Sequence, residues 1–390
     1  MSKRGPLRPL AGGRPRLDNI AVIHLNHAGT SYPKPAVVHR AVREALAAGP
    51  GQWPALHQQA HAEVCEFLGI EDHARFLLTS GCTASLALIF TDLPWSSGDR
   101  ILTSGLEHHA LARWPRVLAE QGVKHATSPY APGQPLDLSW LEEQLRAGGV
   151  RLVACTAASN VTGECLPVVE IVALARHYGA LCLIDAAQVV GRRPLDVREL
   201  APDLLVFAGH KGPLGPHGIG GLYAAPHVQL RSPAAACDLR AGAAGACQPF
   251  PGYCDVGSVN LAGAAGLRAG LAWLRERGLH EVRAHIDALT QRLLAGLRPL
   301  SWLQIHGSQE PDTGIGVISL SSRTPGITPG ALERQLADAG IAARAGHHCA
   351  PMAHETLGSQ EHGTLRLSVG ATSESSDVDA ALDCLAAIGG

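Results

Sequence analysis

Residues 180–212 read ALCLIDAAQVVGRRPLDVRELAPDLLVFAGHKG. Two short apolar runs, ALCLID and DLLVFAGH, read as strands. Neither alternates apolar with polar residues, the pattern expected of strands covered on both faces. Asp185 ends the first run, and Lys211 comes just after the second. Both therefore belong at the C-terminal edge of a mostly parallel sheet, the edge where α/β proteins bind ligands.

The same alternation extends outward in both directions. AVVHRAVREALAA (from residue 36) is amphipathic and helical. RFLLTSG is a short strand ending in a glycine turn, and CTASLALIFTDL is a helix. RILTSG is strand-like, HALARWPRVLAEQ helical, and RLVACTAASN a strand followed by a loop. LPVVEIVALARHYG is a helix closed by Gly179, and GIGGLYAA is a further strand. After about residue 262 two long helical patterns appear, AGAAGLRAGLAWLRERG and HEVRAHIDALTQRLLAGL. They precede short strands at WLQIHG, GVISLSS, IAARAG and GTLRLSVG, and the helices PGALERQLADAG and DVDAALDCLAAI. The expected organisation is a tail at 1–20, a large α/β domain at 21–262, and a smaller α+β domain at 263–390.

The composition suits a globular chain: 390 residues, 46% hydrophobic and 17% charged, with a formal net charge of −2. That charge gives no general case for nucleic acid or an anionic membrane. The basic start, MSKRGPLRPLAGGRPRLDN, lacks the apolar stretch of a signal peptide and reads as a disordered tail or a docking arm. No run reaches the ~20 apolar residues of a membrane span, so the expected compartment is the cytoplasm. Of the ten cysteines no two are spaced CxxC, which argues against a zinc ribbon or a thioredoxin-type site. Lysine occurs only at 3, 34, 124 and 211. A lysine within the glycine-rich apolar stretch around 211 therefore invites explanation, because an amine can become a neutral nucleophile and a guanidinium cannot.

Four constellations carry chemistry. Asp185 with Lys211 suits pyridoxal phosphate, the carboxylate pairing with the pyridine nitrogen and the amine bonding the aldehyde carbon; an ordinary ion pair is equally open. TSGCTAS (79–85) places Cys82, Thr83 and Ser85 at a helix start, as either a phosphate site or a simple N-cap. His108 and His109 open a helix, either facing a planar cofactor or in solvent. RAGHHCAPM (344–352) holds Cys349 behind two histidines. Adjacent side chains diverge and no second cluster at zinc spacing exists, so a metal is not expected there. Cys349 before the helix start at Ala350–Pro351 reads instead as a thiol nucleophile. Arg366, in GTLRLSVG, has the geometry to hold a carboxylate by a two-pronged contact.

Taken together, LNHAGTSYPKP (25–35), TSGCTAS, EHHA (107–110), ASNVTGECLPV (158–168), IDAAQVVGRRPLDV (184–197), GHKGPLGPHGIGGLY (209–223) and RAGHHCAP (344–351) resemble the class V aminotransferase family of pyridoxal-phosphate enzymes. Within it they are most similar to the group II cysteine desulfurases and selenocysteine lyases. The resemblance implies fold type I and a homodimer. It implies Lys211 as the Schiff-base lysine, Asp185 as partner of the pyridine nitrogen, and Gln188, with Asn160 nearby, at the phenolic oxygen. It places His108 over the ring, Thr83 and His210 at the phosphate with Cys82 beside them, Arg366 on the substrate carboxylate, and Cys349 as sulfur acceptor.

Four features depart from the family pattern. Ala208 stands where a phosphate-binding hydroxyl often precedes GHK. DVGSVN (255–260) replaces an AGTPN-like segment, so Ser258 is expected to supply the missing hydroxyl. His27 stands where relatives often carry Asn, and residues 231–255 are unusual in composition. The expected reaction is conversion of L-cysteine to L-alanine with a persulfide on Cys349, passed to an acceptor protein. The alternatives are a selenocysteine or other C–S lyase in which Cys349 is not essential, and a degenerate member acting as a scaffold for a sulfur carrier. The retained Lys211, Asp185, Gln188 and Arg366 argue against the last.

Overall fold

The computed structural model describes residues 16–17, 20–134, 136–230, 259–307, 310 and 313–389. Ser258, the stretch 231–255 and nearly all of the expected tail lie outside them; Arg16–Leu17 pairs with Ile20–Ala21.

Among the described residues, seven strands form the large sheet in the order Phe76–Thr79, Gly220–Ala224, Leu204–Ala208, Leu181–Asp185, Val150–Thr156, Arg100–Thr103, Lys124–Thr127. Pairing is parallel from Leu204–Ala208 to Lys124–Thr127, whereas Gly220–Ala224 runs antiparallel to both its neighbours. Successive strand residues point to opposite faces, and both faces are covered. Leu152, Leu183, Leu204 and Val206 enter one apolar cluster with Phe90 and Leu118. Val153, Cys182, Ile184, Leu205 and Phe207 enter the other, which continues through the helix Leu261–Arg277 into the C-terminal half. This double burial is why the strands read as continuous apolar runs. The fold is the expected α/β fold type I architecture.

The second sheet has the order Leu303–His306, Val317–Ser322, Thr364–Ser368, Arg344–Gly346, antiparallel throughout. The helices Leu279–Leu297, Pro329–Asp338 and Ser375–Gly389 accompany it. At the expected boundary, Leu261–Arg277 packs against Ala36–Ala47 and Trp53–Leu68. Asn260 caps it, its Oδ1 accepting from Gly263 N at 2.8 Å while its Nδ2 donates to Gly218 O.

Some elements differ from the sequence reading. HALARWPRVLAEQ is two helices, His109–Ala112 and Trp114–Ala119, because Pro115 has no N–H to continue the first and serves at the start of the second. IAARAG is also two pieces. Ile341–Ala342 pairs in parallel with Ile23–His24, and only Arg344–Gly346 joins the second sheet. Trp53–Leu68, Leu138–Arg146 and Lys124–Thr127 add to the elements expected from the sequence. No helix among the described residues is long and apolar enough to cross a membrane.

Candidate functional site

A cavity of about 670 Å3 opens at the C-terminal ends of the parallel strands. This volume lies within the range of small-ligand sites. Asp185, Lys211, Gln188, Cys82, Thr83, His108, His210, Asn160, Cys349 and Arg366 all line it. The cavity thus gathers these residues in one place, whereas Ser85 and His109, also near helix starts, do not line it.

Asp185 ends its strand fully buried and accepts from Ala187 N at 2.9 Å and from the Cys82 thiol at 3.3 Å. Burial raises its carboxyl pKa, opposed by these hydrogen bonds and by the nearby Lys211. Burial likewise lowers the Lys211 pKa, with Asp185 pulling it back up. Each group is therefore costly to charge alone and favours the charge of the other. Cys82 is held as a thiol, chiefly by burial and then by Asp185; as a donor to Asp185 it supports that carboxylate.

The turn before Lys211 is fixed from outside. The His210 carbonyl accepts from Lys34 Nζ at 2.7 Å and from Thr30 Oγ1, and Ser31 donates its hydroxyl to the Lys211 carbonyl. His210 stacks on His217, with ring centroids 4.5 Å apart. Burial, with Lys211 next, pushes the His210 pKa down to about 3. The helix Cys82–Asp92 points its start into the cavity behind Gly81, whose φ of 144° favours a residue without a side chain.

His108 forms the N-cap of the helix His109–Ala112, its Nδ1 accepting from Ala110 N at 3.1 Å. With burial pushing its pKa down to about 3, the ring is neutral and carries its proton on Nε2. Arg366 is buried in its strand. It donates to Asn160 O at 2.8 Å and to Asn26 Oδ1 at 2.9 Å. Asn160 in turn donates its Nδ2 to His348 O at 2.7 Å. This ties the arginine, the 158–168 loop and the cysteine loop into one unit.

In that loop His348 and Cys349 have φ values of 49° and 60°, left-handed backbone that L-residues adopt at a cost. The Cys349 carbonyl accepts from His109 N at 2.7 Å, and the buried His348 ring contacts Thr364. The turn leaves Cys349 exposed at the cavity, which His348 also lines, while the His347 ring contacts Gln360 O and the His348 ring Thr364 O. A different trio, His108, His109 and Cys349, has its ligand atoms within 4.8 Å of one another.

Sequence reasoning missed Asn26, His217 and Arg344, which also line the cavity. Asn26 belongs to the motif LNHAGTSYPKP, next to His27. His27 turns away from the cavity and packs on Ser373 and Gly370. Ala208 does line the cavity, so no hydroxyl is offered there.

The residues present fit pyridoxal phosphate. Gln188 Oε1 and His210 Nδ1 are buried without a hydrogen-bond partner among the described residues, although Gln188 Nε2 donates to Ala28 O. Buried polar atoms are rarely left unmade, and a polar planar ligand between the two would satisfy both.

Residues 29–381 match the sequence model of the family described as Aminotransferase class-V. A protein of Pseudomonas aeruginosa bearing the name "Probable cysteine desulfurase" is 33% identical over 337 residues, covering 83% of this chain and 80% of that one. One of the same name from Pyrococcus abyssi is 29% identical over 369 residues, covering 89% of each. The solved structure of a cysteine desulfurase from Thermococcus onnurineus superposes with a TM-score of 0.84 at 28% identity, covering 94% of both chains.

Proposed function

The chain belongs to the aminotransferase class-V family, and from that premise we propose that it is a pyridoxal-phosphate-dependent cysteine desulfurase, taking the sulfur of L-cysteine onto Cys349 and releasing L-alanine. The names and folds of its relatives support this reading. The observation that carries it is the convergence of Lys211, Asp185 and Arg366 with an exposed cysteine in one cavity.

When bound, the cofactor supplies an electron sink for the pair released at the substrate Cα. Asp185 would pair with the pyridine nitrogen and keep it protonated, and Cys82 donates to Asp185 from behind. Gln188 and Asn160 lie on the cavity wall with polar atoms for the phenolic oxygen. Thr83, His210 and the backbone N–H groups at the start of Cys82–Asp92 would hold the phosphate, an arrangement that helix N-termini favour. Lys211 is the residue that would hold the cofactor's aldehyde carbon and move the Cα proton; its burial favours the neutral amine this requires. Arg366 grips the substrate carboxylate. The neutral His108 would cover the ring face, and it offers an Nε2 proton.

Cys349 then attacks the substrate sulfur as a thiolate. An S–S bond forms, the Cβ–S bond breaks, and its electron pair stays on the three-carbon fragment. That fragment takes up protons and leaves as alanine. The persulfide on Cys349 passes to an acceptor thiol by exchange, so the reading includes a sulfur-acceptor protein and, as in the family, a homodimer.

The test is to incubate the purified enzyme with L-cysteine and measure alanine and sulfide for wild type and Cys349→Ala. Wild type should form alanine and the variant almost none. A Cys349→Ala variant that releases sulfur or selenium unimpaired from selenocysteine or another β-substituted amino acid would favour the lyase reading and remove the nucleophilic role of Cys349. Lys211→Ala should lose the absorbance band of lysine-bound cofactor.

A further inference from the structure

A second cluster of ligating side chains stands outside the cavity. His61 and Cys65 lie one helical turn apart on Trp53–Leu68, and His73 lies on the short turn His73–Arg75 that leads into the edge strand Phe76–Thr79. One ligand atom from each lies within 4.8 Å of the others. None of the three lines the cavity.

The His61 ring is already oriented. Its Nε2 lies 2.8 Å from the Phe76 carbonyl oxygen. A carbonyl only accepts, so Nε2 carries the proton and the lone pair sits on Nδ1, 3.8 Å from Cys65 Sγ. A metal-bound histidine characteristically hands its other N–H to a backbone carbonyl, which fixes tautomer and orientation. The Asp72 carboxylate accepts from Ala74 N at 3.1 Å, capping the turn that carries His73. His73 is exposed and provides the entry path, whereas Cys65 is fully buried. Burial pushes the Cys65 thiol up to about 12. It is therefore not a reactive thiolate in the metal-free protein, and a cation that displaces its proton is what would ionise it.

We infer that His61, Cys65 and His73 bind a borderline-soft divalent cation of the zinc class, through Nδ1 of His61, Sγ of Cys65 and a ring nitrogen of His73. The fourth position is open to water. Zinc–ligand bonds of about 2.0–2.3 Å require the ligand atoms to close by about 1 Å, which rotation of the exposed His73 supplies. Binding displaces one proton from the Cys65 sulfur and changes no oxidation state. The cation clamps the helix Trp53–Leu68 to the entry of the edge strand, so its effect falls on stability and leaves the reaction itself untouched.

The test is cobalt(II) titration of the full-length, cofactor-loaded protein, in wild type and in Cys349→Ser. The second protein removes the thiol of the His108–His109–Cys349 trio. The expected result in Cys349→Ser is one equivalent of cobalt, a thiolate-to-cobalt charge-transfer band, release of about one proton, and displacement by zinc. Adding Cys65→Ala should abolish the band. Adding His73→Asn, a surface change that spares the core, should weaken binding at least about 10-fold and remove the zinc-dependent rise in Tm. The inference fails if Cys349→Ser shows no stoichiometric band, or if the band survives Cys65→Ala or His73→Asn undiminished.

Discussion

Glu107 lies fully buried beneath the cavity. The Ser104 hydroxyl and Thr156 N–H donate to its Oε1, while Oε2 has no partner among the described residues. Burial, countered by those bonds, raises its pKa from 4.5 to about 8. The sign follows from linkage. The folded state holds the proton more tightly than the unfolded one, so this group's contribution is intact below pH 4.5, declines between about 4.5 and 8, and is flat above. Glu107→Gln keeps the Oε1 contacts and removes the charge. The variant should lose less stability than wild type on going from pH 5 to pH 8, by at most about 1.4 kcal/mol per pH unit. Urea unfolding at the two pH values measures it, and equal pH slopes would refute it. Arg366 allows a second residue-scale prediction. Of five guanidinium N–H groups, two are used on Asn160 and Asn26, leaving enough for a carboxylate. Arg366→Lys keeps a charge without the planar fork. It should raise KM for L-cysteine by about 10- to 100-fold, the loss of about 1.4–2.7 kcal/mol expected for a charge-assisted bond, with kcat changed less. Steady-state kinetics decides between this and a uniform fall in kcat.

The turn after Lys211 shows why single positions matter at the scale of an element. A Cβ on Gly212 would lie 2.1 Å from the Val190 carbonyl oxygen, so the two backbone segments touch directly. Gly212→Ala must therefore push the turn away from residues 186–190, which also carry Gln188. The expected outcome is a stability loss of about 1–3 kcal/mol, together with weaker cofactor retention, read as faster loss of the lysine-bound absorbance on dilution. Full retention would show that the turn has slack. At this scale much was legible in the sequence. ALCLID and DLLVFAGH read as doubly covered strands because they have no polar face to show, and the structure buries both faces. The proline in HALARWPRVLAEQ was visible, but which side of it would hold a helix was decided by His108 capping the first piece and Pro115 starting the second. Trp53–Leu68 was missed, although Pro54 at its start and Gly69, left-handed at its end, mark its bounds. IAARAG was not, because a run of six residues does not say that its halves pair with different partners.

Across the whole molecule, the cavity is assembled from residues as distant as Asn26 and Arg366, which hydrogen-bond across 340 positions. Ile23–His24 is held by Ile341–Ala342, and Asn26 bridges to Ser368, so the N-terminal segment is laid across the C-terminal half. Periodicity reveals elements but carries no information on such long-range meetings. Asp185, Lys211, Cys349 and Arg366 were legible from their chemistry and position, the full set only through motifs in a familiar order, and Asn26 and Arg344, which also line the cavity, were missed. This assembly gives the cofactor a thermodynamic role beyond chemistry. A ligand that contacts the 185–188, 208–211 and 348–366 walls together binds the folded chain and not the unfolded one. It should stabilise by RT ln(1 + [L]/Kd), about 2.7 kcal/mol at one hundred times Kd. Removing pyridoxal phosphate should therefore lower Tm in a single cooperative transition, and adding it back should restore Tm in proportion to the logarithm of its concentration. Lys211→Ala loses the covalent bond but keeps Asp185, Gln188, Thr83 and His210, so its gain in Tm on adding the cofactor should be smaller than that of wild type and still positive. A melting curve of Lys211→Ala with no response at all would place the whole affinity in the lysine bond and deny the other walls a binding role, and a wild-type curve with no response would mean that the cavity does not take the cofactor.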